Sequence, residues 1–124
     1  GAQDSDYHIV PGFFNHTLDG HSPNDYSLQK AAMVFVDCDL YKSTVSVLNF
    51  AKSSFVNGTI LAFDDWFCFE GDSEKGEQRA FAEFRQANPL LRFSDYLTFG
   101  WHGRSFLVHT IPRSQGENVC PTSR

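Results

Sequence analysis

The sequence predicts an α/β domain built around one strand–helix–strand unit, and three observations carry that expectation. Met33-Val34-Phe35-Val36 is a continuous apolar run that stops at Asp37-Cys38-Asp39. Ile60-Leu61-Ala62-Phe63 is a second such run, stopping at Asp64-Asp65. Between them, Val45, Leu48, Ala51 and Phe55 recur at helical spacing within residues 42–56. Short apolar runs around an amphipathic helix predict parallel strands covered on both faces. A right-handed crossover then places the two strands side by side or nearly so.

The remaining elements follow in chain order. Residues 1–6 are polar and form a flexible start, and 7–10 is a short strand candidate ended by Pro11-Gly12. Residues 13–18 read as a turn or a single helical turn, and 19–25, punctuated by Gly and Pro, as a loop. Asp39 or Ser43 is placed to cap the helix at 42–56, and Asn57-Gly58 to close it. After the second strand comes an aromatic loop at 66–70. A further helix starts at Asp72 or Ser73, carries the apolar stripe Ala80, Phe81 and Phe84, and ends at Asn88-Pro89. Residues 91–99 and 105–111 read as strands whose short connection makes them an antiparallel hairpin. Residues 7–111 thus form the domain, and 112–124 a polar tail.

Bulk properties bound the function. A chain of 124 residues is one domain, and its thirteen phenylalanines give it enough bulk for a core. The net charge of −5 and the lack of any Lys/Arg cluster argue against nucleic acid. No apolar stretch is long enough to span a membrane, and no signal peptide opens the sequence. Cys38, Cys68 and Cys120 have no metal-type spacing and leave an odd thiol, which points to a reducing cytoplasm. His8, His16, His21 and His109 have no mutual spacing that suggests zinc.

The chemistry lies at the strand ends. In a parallel sheet, ligands bind beyond the carboxyl ends of the strands, and Asp37, Asp39, Asp64 and Asp65 all leave at that end. Their mutual repulsion calls for a cation, and carboxylate donors suit Mg²⁺, Mn²⁺ or Ca²⁺. The plainer reading is that such residues only cap helices. Trp66, Phe67 and Phe69 follow the acid pair and offer a platform for a small-molecule acceptor, or simply core packing. His102 either lines the mouth of the site or sits solvated in a hairpin turn. Tyr41 is expected to pack beneath the site, and Cys38 to be a small residue on the far side.

Phe35-Val36-Asp37-Cys38-Asp39-Leu40-Tyr41-Lys42-Ser43-Thr44 resembles the D-x-D-L-Y-x-S-T block of the macrocin O-methyltransferase family. Supporting blocks are Gly12-Phe13-Phe14-Asn15-His16-Thr17-Leu18, the Gly58 to Trp66 stretch, the Gly76 to Phe84 stretch and Gly100-Trp101-His102-Gly103. The resemblance implies a Rossmann-like methyltransferase sheet with, in the family's numbering, strand order 4-5-7-6 and the last strand antiparallel. It also implies an S-adenosylmethionine-dependent, Mg²⁺-dependent O-methylation of a sugar hydroxyl. By that resemblance Asp37, Asp64 and Asp65 hold the metal, and Asp39 is the general base.

The family's glycine-rich first strand and acid-ended second strand have no counterpart in this sequence. The sheet is therefore expected to be truncated, and the chain inactive alone. Strand 33–37 would lose a neighbour and expose an apolar edge. Either residues 7–10 fold back over it, or two chains join across it as a homodimer, or a partner supplies the missing half. The alternative function is a non-enzymatic homodimeric binding or accessory module. A third is a metal-dependent hydrolase using the same acids.

Overall fold

The computed structural model describes residues 7–112, so the flexible start expected at 1–6 and all but the first residue of the expected polar tail lie outside the described residues. The chain runs through α1 (Phe14–Thr17), a 3-10 turn at Pro23–Tyr26, β1 (Met33–Val36) and α2 (Tyr41–Ala51). It continues through β2 (Ile60–Phe63), a 3-10 turn at Phe69–Gly71, α3 (Gly76–Ala87), β3 (Leu91–Phe99) and β4 (Gly103–Thr110). The strands form one open mixed sheet in the order β1-β2-β4-β3. β1 and β2 are parallel, and β4 is antiparallel to both its neighbours. That is the order implied by the resemblance of the Asp37 to Thr44 block. No helix among the described residues is long and apolar enough to cross a membrane.

Alternation along each strand decides which face is buried. Val36, Leu61, Phe63, Phe93, Phe106 and Val108 point to one face and pack with Leu48 and Ala51 of α2 and with Ala80, Phe81 and Phe84 of α3. The opposite face carries no helix among the described residues, and Met33 and Phe35 are about half exposed there. The expected covering of both faces is therefore not observed. Both helices following β1 and β2 cross on the same side, as right-handed crossovers running in one direction along the sheet require.

The bare face has a partial substitute for a helix. Phe35 pairs with Ala62, and Ala62 with Ser105, along one row of the sheet. The Phe35 and Phe99 rings approach to 6.1 Å, and Ala62 and Ser105 stay buried. The Phe99 ring lies across Gly103: a Cβ there would stand 2.3 Å from it. Gly103→Ala is expected to cost about 1–3 kcal/mol by overpacking, read from urea unfolding; an unchanged midpoint would remove this account. Ser105 also repairs the break in register between Asp95 and Thr98. Its hydroxyl donates to the Leu97 carbonyl at 3.0 Å and accepts from the Leu97 amide at 3.2 Å.

Several boundaries differ from the expected ones. Residues 7–10 are not a strand but exposed coil, so they do not cover the edge of β1. Neither Asp39 nor Ser43 caps α2: the cap residue is Leu40, without a side-chain cap. Asp39 is displaced outward because the chain turns tightly there, with a φ of 54° and the Leu40 amide donating back to the Cys38 carbonyl. α2 ends at Ala51 and tightens into a 3-10 turn at Lys52–Ser54, so Asn57-Gly58 does not close it. Gly58 (φ 89°) instead shapes the turn into β2, and the Asn57 carboxamide accepts from the Thr110 amide at 2.7 Å. α3 starts later than Asp72 or Ser73, with Lys75 as its cap residue. Asp72 caps a preceding turn, accepting from the Glu74 amide at 2.9 Å. Asn88 does end α3, and the hairpin strand starts at Gly103 rather than 105.

A candidate metal centre at the strand ends

The parallel register pairs Val36 with Phe63, so Asp37 and Asp64 leave the sheet side by side. The Asp64 amide donates to the Val36 carbonyl at 2.9 Å, extending the ladder by one step. Beyond it the two segments diverge and fold back. The left-handed turn at Asp39, a conformation that short polar side chains tolerate, returns its carboxylate toward Asp65. The outcome is a group of three: carboxylate oxygens of Asp37, Asp39 and Asp65 lie within 4.8 Å of one another. Asp37 and Asp39 are exposed, and Asp65 is half-buried.

Asp65 is the pivot. Its amide donates to Glu77 Oε2 at 3.0 Å, and its Oδ1 accepts from the Cys68 thiol at 3.4 Å. Its Oδ2 is buried with no hydrogen-bond partner. Burial first, then Asp39 and the other carboxylates beside it, push its acid up to about 6. A half-buried carboxylate that has one unpartnered oxygen and lies beside two further carboxylates is the environment that a hard divalent cation satisfies. The donor chemistry therefore fits Mg²⁺, with Asp37 and Asp65 as the residues that could hold it and the Asp39 carboxylate beside them.

Asp64 stands beside this group rather than in it. Its carboxylate belongs to neither cluster of metal-type donors among the described residues. Its carbonyl is engaged by His102 Nδ1. The Phe67 amide donates to the His102 carbonyl at 3.1 Å, which ties the 64–68 turn to the hairpin turn. His102 is thus half-buried against the acid-bearing segment rather than solvated.

Trp66 does not face the site. It lies in the core against Phe63, Phe81 and Phe106, while its carbonyl accepts from Gln78 Nε2 at 2.7 Å. The aromatic surface next to the acids is left to Phe67 and Phe69, both exposed. Tyr41 packs toward α3, with the Arg79 guanidinium 4.5 Å from its ring centre. Cys38 is partly buried against the core and beside the Thr44 hydroxyl. Burial, reinforced by the nearby carboxylates, pushes its thiol up to about 11, so it is no nucleophile.

One residue of the site is absent from the sequence expectation. Glu77 is 1% exposed, although it sits among acids. Its Oε2 accepts from the Asp65 amide, the Cys38 amide also donates to its carboxylate, and its Oε1 has no partner. Glu77 thereby links the segments leaving β1 and β2 through the first turn of α3. Burial, then the Asp65 charge, push it up to about 8. A signal was present in the sequence: Glu77, Ala80, Phe81 and Phe84 are spaced as one helical stripe. A carboxylate continuing an apolar stripe faces inward.

No family model matches the chain, and no curated protein matches it either.

Proposed function

We propose that this domain is the metal- and acceptor-binding half of a methyltransferase-like fold, serving Mg²⁺-dependent O-methylation of a sugar-type hydroxyl. The convergence of Asp37, Asp39 and Asp65 beyond adjacent parallel strands is the observation that carries this reading. The strand order, with its last strand antiparallel, supports it, as does the Asp37 to Thr44 block. Bound Mg²⁺ supplies a lowered pKa to the acceptor hydroxyl. Asp37 and Asp65 are the residues to hold the ion, and Asp39, exposed at the mouth, accepts the hydroxyl proton. Phe67 and Phe69 offer apolar faces for the acceptor ring. Glu77 fixes the Asp65 backbone, so that the carboxylate is presented without rearrangement.

The described residues contain no glycine-rich turn between a strand and a helix, so nothing in them fits adenosylmethionine. The donor pocket then belongs to sequence outside them or to a partner chain. Free thiols at Cys38 and Cys68 support a reducing, cytoplasmic setting.

The test is transfer of a labelled methyl group from adenosylmethionine to a panel of sugars by the full natural gene product. Transfer should require Mg²⁺ and fall by roughly 10²-fold or more in Asp39→Asn. Transfer indifferent to Asp39→Asn, or no transfer to any sugar, contradicts the reading.

A second reading rests on the edge of the sheet. β1 pairs only with β2 among the described residues, and Met33 and Phe35 are half exposed on it. A groove of about 620 Å³ runs alongside, lined by Leu18, Leu28, Met33, Phe35 and Phe50. Such an edge suits pairing with a second copy, making a homodimeric binding module. Light scattering should then report a dimer that Phe35→Lys converts to a monomer. A wild-type monomer at every concentration removes this reading.

A further inference from the structure

A second group of metal-type donors shares Asp65 with the acid group. Ligand atoms of Asp65, Cys68 and His102 fall within 4.8 Å of one another. Nothing in their spacing along the chain announces this, because His102 comes from the β3–β4 turn. Three local features build it. The Cys68 amide donates to the Asp65 carbonyl at 3.1 Å, which folds the thiol back over the carboxylate. Trp66, buried between them in sequence, pins that turn into the core. The Phe67 amide then holds the hairpin turn through the His102 carbonyl.

The donor chemistry differs from that of the acid group. A thiol, an imidazole and one carboxylate form a borderline-soft set of the kind that selects Zn²⁺ over Mg²⁺. The imidazole makes the kind of backbone contact that commonly fixes a metal-binding histidine. Its Nδ1 is engaged by the Asp64 carbonyl, which leaves Nε2 free. All three residues are half-buried, so an ion can reach them while bulk water is partly excluded.

We infer that Asp65, Cys68 and His102 form a Zn²⁺-type site, with a fourth position left for water or a ligand. On binding, a sulfur–metal bond replaces the thiol's hydrogen bond to Asp65, and the thiol proton passes to solvent. The site does not depend on the methyltransferase reading. It shares only Asp65 with the acid group, so substitutions at Asp37 separate the two.

Co²⁺ serves as the probe, because its bond to thiolate gives a near-ultraviolet charge-transfer band. The titration uses the full chain carrying Cys38→Ser and Cys120→Ser, which leaves Cys68 as the sole thiol. A band saturating at one equivalent and displaced by Zn²⁺ is expected. It should vanish in Cys68→Ser and weaken roughly tenfold or more in His102→Gln, yet persist in Asp37→Asn. Zn²⁺ should also raise the melting temperature of the wild type and not of His102→Gln. No charge-transfer band, a band unchanged by His102→Gln, or a band lost in Asp37→Asn overturns the inference.

Discussion

Phe81→Ala should cost the fold about 3–5 kcal/mol, the usual range for a fully buried phenylalanine. Phe81 is 2% exposed and lies where α3 meets the sheet. Its ring centre is 4.8 Å from that of Phe106, 4.9 Å from Phe93, 5.0 Å from Phe63 and 5.8 Å from Trp66. Truncation leaves a cavity walled by rigid rings that cannot collapse into it, so the cost lies at the upper end. Partners from β2, β3 and β4 lose contact together. The check is urea unfolding followed by tryptophan fluorescence, which Trp66 reports directly. Phe81→Leu keeps part of the packing and serves if the alanine variant does not fold. A midpoint shift equivalent to less than about 1 kcal/mol for Phe81→Ala would contradict this description of the core.

Metal-free protein should lose stability as the pH rises from about 4.5 to about 8, because of Glu77. Its carboxyl is raised from 4.5 to about 8 in the fold, by burial and then by the Asp65 charge. Between those values the unfolded chain has released the proton and the folded chain still binds it. Stability from this group is therefore complete below pH 4.5 and is lost as the pH passes through the folded value. The slope is at most about 1.4 kcal/mol per pH unit. Asp65, raised to about 6, acts with the same sign lower in the window. Glu77→Gln retains a carbonyl to accept from the Asp65 and Cys38 amides while removing the ionisation. It should flatten most of the dependence between pH 6 and 8, and raise stability at the upper end. An equally steep fall in Glu77→Gln would show that the slope arises elsewhere.

The strand–helix–strand unit was legible because each of its parts is a local pattern. Four apolar residues followed by acid mark β1 and β2, and the stripe of α2 repeats every three to four positions. The adjacency of β1 with β2 and of β3 with β4 followed from one crossover and one short connection, whereas the order of all four was implied only by the resemblance of the Asp37 to Thr44 block. Helix starts were less legible. The Asp39 turn and the Asp72 turn are set by backbone geometry that places these side chains outside the cap position, although both are good capping types. Residues 7–10 have a strand's composition, but a strand exists only where it pairs.

The acid group was legible as four strand-end carboxylates, yet the structure gathers Asp37, Asp39 and Asp65 and sets Asp64 aside. Which of two adjacent acids turns inward depends on the path of the chain after β2, and composition does not encode it. Glu77 and the pairing of Cys68 with His102 are tertiary facts. They arise from where α3 and the β3–β4 turn dock, far from the strand ends in sequence. Trp66 illustrates the converse: its place beside the acids left a substrate platform and core packing equally open, and its bulk is taken up by the core.

The most direct measurement is a Mg²⁺ titration, by calorimetry, of the wild type, Asp65→Asn and Asp72→Asn. Asp72 is a control acid outside the group, placed 3.5 Å from Lys75 in a surface ion pair. Saturable binding at one equivalent is expected in the wild type and in Asp72→Asn, weakened by roughly tenfold or more in Asp65→Asn. No saturable heat in the wild type, or equal affinity in Asp65→Asn, would contradict a hard-metal centre at the strand ends.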